Sequence, residues 1–350
     1  MTIEKNRVKK ILCIKLKGIG DVILSSIVLK NLREDFPDAR IDFLTERPSE
    51  PLLRNLPLIN EVLVLKKMSF TQTVRFYWDI ISRNYDLVLD LYSNPRTALI
   101  TYLSGARFRA GFPYRGRSYA YNLFGPVERD KFHAAPLHLE LLKNIGIAHS
   151  DDSFAISLPD ESEQFADNFF KEKFKPGEFV FCISPSGGWD SKKCTTEKWL
   201  DVCTSLFDLY EGKILLVWGP DDETQVDEIK RTLIDDRIIK APFTDITRMG
   251  ALMKRCGLII ANDSGPMHLA VALELPVLSI HGPTNPRFQG PYGDKNQWVR
   301  LDELDCISCN LLVCPKKKEC FNDLPFSRIQ HKIEKLFTAY GIDESDIKKN

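Results

Sequence analysis

Residues 257–286 read GLIIANDSGPMHLAVALELPVLSIHGPTNP. An apolar run, 258–261, stops at Asn262-Asp263-Ser264-Gly265-Pro266; a helical stretch over 267–273 follows, then a second apolar run over 276–280. Strand, tight turn, helix and strand in so short a stretch form a parallel βαβ unit. Parallel strands need a crossover rather than a hairpin, so this segment commits the chain to an α/β sheet covered by helices. The turn carries an acid, a hydroxyl and a glycine where a helix begins. Unpaired backbone N–H groups and the positive end of the helix dipole make such a point a natural anion site, which predicts a phosphorylated ligand.

The same alternation runs through the rest of the chain. In the first half, strands are expected over 8–16, 40–44, 62–65 and 87–91, with helices over 21–36 and 71–83. The pattern breaks within 148–177, where a polar turn (Ser150, Asp151, Asp152) leads to a charged helix over 160–173 and then Pro176-Gly177. It restarts with strands over 179–184, 213–218 and 237–240, and helices over 196–210, 223–233 and 246–255. Strands alternating with helices imply parallel sheets covered on both faces. The expected organisation is an α/β fold of two Rossmann-like doubly wound domains facing a central cleft. An N-terminal domain spans 1–160 and a C-terminal domain 175–322. A segment over 323–350, containing an amphipathic helix (Ile329, Ile333, Leu336, Phe337), closes the chain and is expected to pack back on the first domain. Ligands in such sheets bind beyond the carboxyl ends of the strands.

Composition narrows the class. The 350 residues are 43% hydrophobic and 27% charged, values of a globular protein. Lys+Arg and Asp+Glu are both 48, so net charge makes no case for nucleic acid as a partner. The basic start, MTIEKNRVKK, leads into only four apolar residues before Lys15, and no apolar run reaches the length of a membrane span. The expectation is a cytoplasmic protein that at most rests on the surface of a membrane. Of nine cysteines, Cys13, Cys182, Cys203 and Cys256 lie in or beside apolar segments and suit a core.

Four strand-end loops carry the chemistry. The first, Lys15-Leu16-Lys17-Gly18-Ile19-Gly20-Asp21, begins like a dinucleotide fingerprint, but the third glycine position is Ile23. Asp21 reads either as a helix N-cap or as a carboxylate able to take a proton from a substrate hydroxyl; spacing does not choose. The second loop, 184–193, holds Ser186, Gly187 and Lys192, small residues that let backbone approach a diphosphate and a cation that offsets its charge. The third, Trp218-Gly219-Pro220-Asp221-Asp222-Glu223, is a turn with an acidic helix start, and no metal is assigned to it. The fourth is the 262–266 turn, followed within three residues of Gly265 by His268. Separately, no acid occurs between Asp90 and Glu128, whereas Arg96, Arg107, Arg109, Arg115 and Arg117 do. Such a stretch is either solvated surface or a contact for an anionic acceptor.

With these loops in hand, the chain resembles glycosyltransferase family 9, the lipopolysaccharide heptosyltransferases, from about residue 11 to 293. Three elements carry the resemblance: KxKGIGDVILS (15–25), NDSGPMHLAVAL (262–273) and HGPTNPRFQGPYG (281–293). It implies a GT-B fold with the acceptor on the first domain and the nucleotide-sugar on the second. It also implies inverting, metal-independent transfer of a heptose from ADP-heptose to the lipopolysaccharide inner core, with no cofactor. On that resemblance Asp21 matches the catalytic base, Lys192 the lysine near the donor phosphates and Glu223 the acid at the donor ribose. Asp263, Ser264, Gly265 and His268 match the donor motif, with Ser186 and Gly187 in the donor loop. Lys15, Lys17, Arg107, Arg109, Arg115 and Arg117 are the candidate contacts for an anionic acceptor, and peripheral contact with the inner membrane is implied. Two positions depart from the pattern. Lys192-Lys193-Cys194-Thr195 replaces a Lys-x-Trp-Pro sequence, and Asn285 stands where the family often has Asp.

Cys306-x2-Cys309-x4-Cys314-x5-Cys320 contains the C-x2-C half of a zinc site followed by an irregular half. Reduced thiols and a structural zinc are both compatible with it. Three other assignments stand beside heptosyl transfer. A dehydrogenase would require the intact three-glycine fingerprint, a GT-B enzyme would use another nucleotide-sugar, and a non-catalytic nucleotide-sugar-binding protein would lack a working base at Asp21.

Overall fold

The computed structural model describes residues 3–349 and separates into two units, Met1–Ser157 and Leu158–Asn350. In the first, strands β1 (Lys10–Ile14), β2 (Arg40–Thr45), β3 (Glu61–Val64), β4 (Leu87–Asp90), β5 (Phe108–Gly111) and β6 (Leu123–Phe124) form one sheet of order β3-β2-β1-β4-β5-β6. In the second, β7 (Val180–Ser184), β8 (Lys213–Leu216), β9 (Ile238–Lys240), β10 (Leu258–Asn262), β11 (Val277–Ile280) and β12 (Gln297–Val299) run β12-β11-β10-β7-β8-β9. Every neighbouring pair in both sheets is parallel. Counted from the first strand of its unit, each sheet has the same doubly wound order. The chain reverses its direction of winding between β1 and β4 in one unit and between β7 and β10 in the other. At such a switch point two strand-end loops diverge and leave a crevice.

Burial explains why these strands read as unbroken apolar runs. Ile11, Leu12, Cys13 and Ile14 of β1, and Leu258, Ile259, Ile260 and Ala261 of β10, are fully enclosed, as strands covered on both faces must be. In the second unit the core runs from Phe181, Ile183 and Ile260 to Trp199, Leu206 and Tyr210. Among the described residues no helix is long and apolar enough to cross a membrane.

Three expectations need correction. The helix expected over 21–36 is two helices, Ile19–Ser25 and Val28–Asp35. Ser25 and Ser26 turn their hydroxyls back onto the carbonyls of Val22 and Ile23, which competes with continued helical bonding. The helix Asp160–Lys173, left between the two expected domains, belongs to the second unit, where it packs against Ile246–Met253 and is tied by Arg255 to Glu163 and Asp167. The closing helix, Phe326–Tyr340, belongs to the second unit and packs on that unit's core. Phe337 meets Phe179 and Tyr210 edge-on, and Ile329, Ile333 and Leu336 join the same cluster.

Candidate active site

The second unit brings the predicted donor residues to its switch point. Lys192 leaves the loop after β7, and Asp263 the loop after β10; because β7 and β10 are neighbours, the two side chains meet with Nζ 2.7 Å from a carboxylate oxygen. Both are nearly enclosed, and the Trp189 ring lies 4.0 Å from the Lys192 ammonium. Burial opposes ionisation of Asp263, but the positive surroundings of His281, Lys192 and His268 outweigh it and hold the carboxyl below its ordinary range. Thr284 donates a 2.6 Å hydrogen bond to the same carboxylate. Since the Thr284 hydroxyl proton is committed there, its oxygen accepts from His281 Nδ1 at 3.4 Å, leaving His281 Nε2 to accept from Ser279 at 2.8 Å. Burial pushes the His281 pKa down to about 4, against the opposing charge of Asp263, so the imidazole is neutral at pH 7.

Asp263 is followed directly by Ser264, the N-cap of the helix Gly265–Ala272, whose hydroxyl donates to the Asn262 carbonyl instead of capping the helix. The first-turn amides of Gly265 and Met267 therefore lack a side-chain cap, and Pro266 has none to offer. Asn262 is turned away from the loop mouth, bonding Pro185 and Cys194 of the loop after β7. His268 lies buried in the first turn of this helix.

The other donor candidates are placed as follows. Ser186 donates to Asp222 at 2.6 Å, and Asp222 also pairs with Lys193 at 2.5 Å, so this acid organises the loop after β7. At Gly187 a Cβ would come within 2.7 Å of the Lys193 side chain, so the close approach needs glycine. Glu223 opens the helix Glu223–Thr232 and pairs with Lys240 at an exposed position.

The cysteine segment straps these loops together. Ser308 and Asn310 amides bond the carbonyls of Gly282 and Pro283, the Ser191 amide bonds the Leu312 carbonyl, and Lys318 pairs with Asp190 at 3.0 Å. Cys306, Cys309, Cys314 and Cys320 are unpaired thiols, and burial beside the other three pushes Cys320 up to about 12. Among the described residues no group of three or more His, Cys, Asp or Glu side chains is placed to hold a metal ion, so the structure gives the zinc assignment no support.

In the first unit the helix starts earlier than the sequence suggests, at Ile19 with Gly18 as N-cap, which puts Asp21 on the third helical residue. Asp21 makes no cap bond. Its carboxylate is half-exposed and lies 3.3 Å from the enclosed Lys15 ammonium, which also donates to the Leu91 carbonyl and sits over the Tyr92 ring. Gly18 has φ +81°, and a Cβ there would lie 2.5 Å from an Asp21 carboxylate oxygen. Across the switch point Asp90, at the end of β4, accepts from Tyr121 at 2.7 Å and from the amides of Ser93 and Tyr92. Lys17 is exposed in the same loop.

The arginine stretch divides. Arg115 and Arg117 follow β5 at its carboxyl end and lie over the Tyr114 ring. Arg107 and Arg109 do not join them. Arg107 precedes β5 and pairs with Glu4, and Arg109 binds the carbonyls of Ala120 and Ala106 within the fold. Strand polarity puts Arg107 at the opposite edge of the sheet from Asp21, which removes both from the acceptor candidates. Sequence inspection missed Arg129, whose guanidinium lies 4.7 Å from the Phe112 ring centroid and 5.9 Å from that of Tyr114. Burial lowers its pKa while Tyr114, Asp21 and Asp90 act to raise it. It lies just past Glu128, beyond the acid-free window. Thr284 and His281 were also missed, although both belong to the HGPTNP element.

The chain is 24% identical over 312 residues to lipopolysaccharide heptosyltransferase 2 of Escherichia coli K12, an alignment covering 83% of this chain and 88% of that protein. Among solved structures it resembles the family 9 glycosyl transferase of Veillonella parvula, with TM-score 0.81 and 21% identity over 94% of this chain and 97% of that one. It also resembles ADP-heptose lps heptosyltransferase II of E. coli, with TM-score 0.77 and 20% identity over 95% and 99% of the two chains. The fold is thus of GT-B type. Residues 74–319 match the model of glycosyltransferase family 9 (heptosyltransferase), and the chain belongs to that family of glycosyltransferases.

Proposed function

We propose that this protein transfers a heptose from ADP-heptose, with inversion, to the inner core of lipopolysaccharide. The observation that carries the proposal is the enclosed Lys192–Asp263 pair beside the uncapped start of the helix Gly265–Ala272. A diphosphate seated on those amides gains hydrogen bonds and the helix dipole, and Lys192 offsets its charge. Asp263 and His268 face the sugar side, Ser186 and Gly187 line the diphosphate loop, and Glu223 meets the ribose.

On the acceptor side Asp21 accepts the proton of the attacking hydroxyl. That oxygen bonds to the anomeric carbon from the face opposite the diphosphate, and the bond from that carbon to the phosphate oxygen breaks, releasing ADP. Lys15 orients the Asp21 carboxylate, while Lys17, Arg115, Arg117 and Arg129 meet anionic groups of the core. Because Lys192 and the helix end supply the positive charge, no divalent metal is needed. The lipid-linked acceptor places the protein at the surface of the inner membrane.

A thermal-shift series with ADP, UDP and GDP tests the donor. A selective ADP shift is expected; a selective shift with UDP or GDP overturns the donor assignment in favour of another nucleotide-sugar. Binding of ADP-heptose without transfer to any core acceptor overturns catalysis.

A further inference from the structure

The helix Phe70–Ser82 carries apolar side chains both toward the core and toward solvent. Phe76, Tyr77 and Ile80 turn onto the first unit's core beside Leu63, Met68 and Ile100. An exposed flank beside it carries Phe70, Val74 and Trp78, four residues apart, so they form one stripe along the helix. Phe70 is 83% exposed and Trp78 66%. Solvated helix faces are normally polar, so an aromatic stripe there needs a partner.

The stripe does not end with the helix. Pro95–Leu103 packs alongside it and presents Leu99 and Tyr102 outward, and Tyr102 meets the exposed Tyr119 edge-on at 5.8 Å. Lys66, Lys67, Arg75 and Arg96 are exposed around this patch, against the single acid Asp79 on the exposed face of the first helix. In a chain with 48 cations and 48 anions, that local excess is a feature of the patch and not of the whole protein. A capping box at Ser69 and Gln72 fixes the helix start, so Phe70 and the two lysines are held at the carboxyl edge of β3. That is the edge at which the Asp21 loop leaves β1.

We propose that this face, Phe70, Val74, Trp78 and Tyr102 ringed by Lys66, Lys67, Arg75 and Arg96, docks on an anionic lipid bilayer. Tryptophan and tyrosine suit the headgroup level, where one end of the ring is apolar and the other wet. A helix lying in the interface plane buries its apolar stripe among acyl chains while flanking cations meet anionic headgroups. A protein partner would require a complementary acidic rim, whereas a bilayer supplies negative charge uniformly. The inference rests on the proposed lipid-linked acceptor for its purpose, but not for its test.

The full chain is mixed with vesicles of phosphatidylethanolamine and phosphatidylglycerol, or of phosphatidylcholine alone, and sedimented. Binding is expected to the anionic vesicles only and to weaken with added salt. F70S/V74S/W78S and, separately, K66E/K67E should each lower the partition coefficient by about tenfold or more. Both variants should keep the parent's far-UV circular dichroism and its resistance to limited proteolysis, which shows that the first unit folds. Failure of the parent to sediment, or variants that bind as the parent does, overturns the proposal. So does loss of a dimer in F70S/V74S/W78S on size-exclusion light scattering, with no vesicle binding by the parent. A parent that binds vesicles but transfers no heptose would instead overturn the donor or acceptor assignment.

Discussion

The ammonium of Lys192 sits 2.7 Å from the carboxylate of Asp263, with both side chains almost withdrawn from water. A pair so enclosed contributes little when complete but costs heavily when halved, because the remaining charge is buried without a partner. Asp263→Asn should therefore destabilise the second unit by about 3–5 kcal/mol. Lys192→Met combined with Asp263→Asn should recover most of that loss, while neither variant restores the ADP thermal shift. Urea unfolding followed by tryptophan fluorescence measures both effects.

Asp21 approaches Lys15 and caps nothing. Asp21→Asn should reduce turnover by roughly 10²–10⁴-fold, the usual contribution of a general base. The ADP thermal shift should be unchanged. Turnover within a few-fold of the parent would show that another group takes the proton.

Gly18 combines a left-handed φ of +81° with a Cβ position 2.5 Å from an Asp21 oxygen. Gly18→Ala should cost about 1–2 kcal/mol of stability in the first unit and push the carboxylate aside. The kinetic signature is a fall in kcat at nearly constant donor KM. Unaltered kcat would separate the glycine from the chemistry.

His281 is held neutral by burial, its pKa near 4, whereas an unfolded imidazole titrates near 6.5. Between those values the unfolded chain binds a proton that the folded one does not. Stability is then complete above about pH 6.5 and falls as the pH drops toward about 4, by on the order of 3 kcal/mol. Asp263, with its lowered pKa, adds loss of the same sign at still lower pH. His281→Gln should flatten the acid limb. Four of the five tryptophans, Trp189, Trp199, Trp218 and Trp298, lie in the second unit, so fluorescence in a Trp78→Phe background reports it selectively.

The proposed chemistry makes no use of a divalent ion. Turnover should persist in EDTA, with kcat within about twofold of that in magnesium. A loss of tenfold or more would mean that the leaving diphosphate needs a charge beyond Lys192 and the helix end.

Local sequence determined the α/β alternation and the loops in which Asp21, Lys192 and Asp263 would lie. Both follow from short-range causes: doubly covered strands must be unbroken apolar runs, and turns at their carboxyl ends need glycine, proline and capping residues. Elements over 95–144 were not legible for the opposite reason. The helix Pro95–Leu103 buries Thr97 and Thr101 beside Ala98 and Ile100, which blurs its apolar stripe, and β5 and β6 have only four and two residues. Tertiary structure alone decided which loops meet. Placing β7 beside β10 joins Lys192 to Asp263 across 71 positions of chain and recruits Thr284 and His281 behind them. Strand polarity, which no composition records, sends Arg107 to one edge of the first sheet and Arg115 to the other. Side-chain partners are properties of a sheet's order and direction, and those are set by packing of the whole unit and not by any one segment.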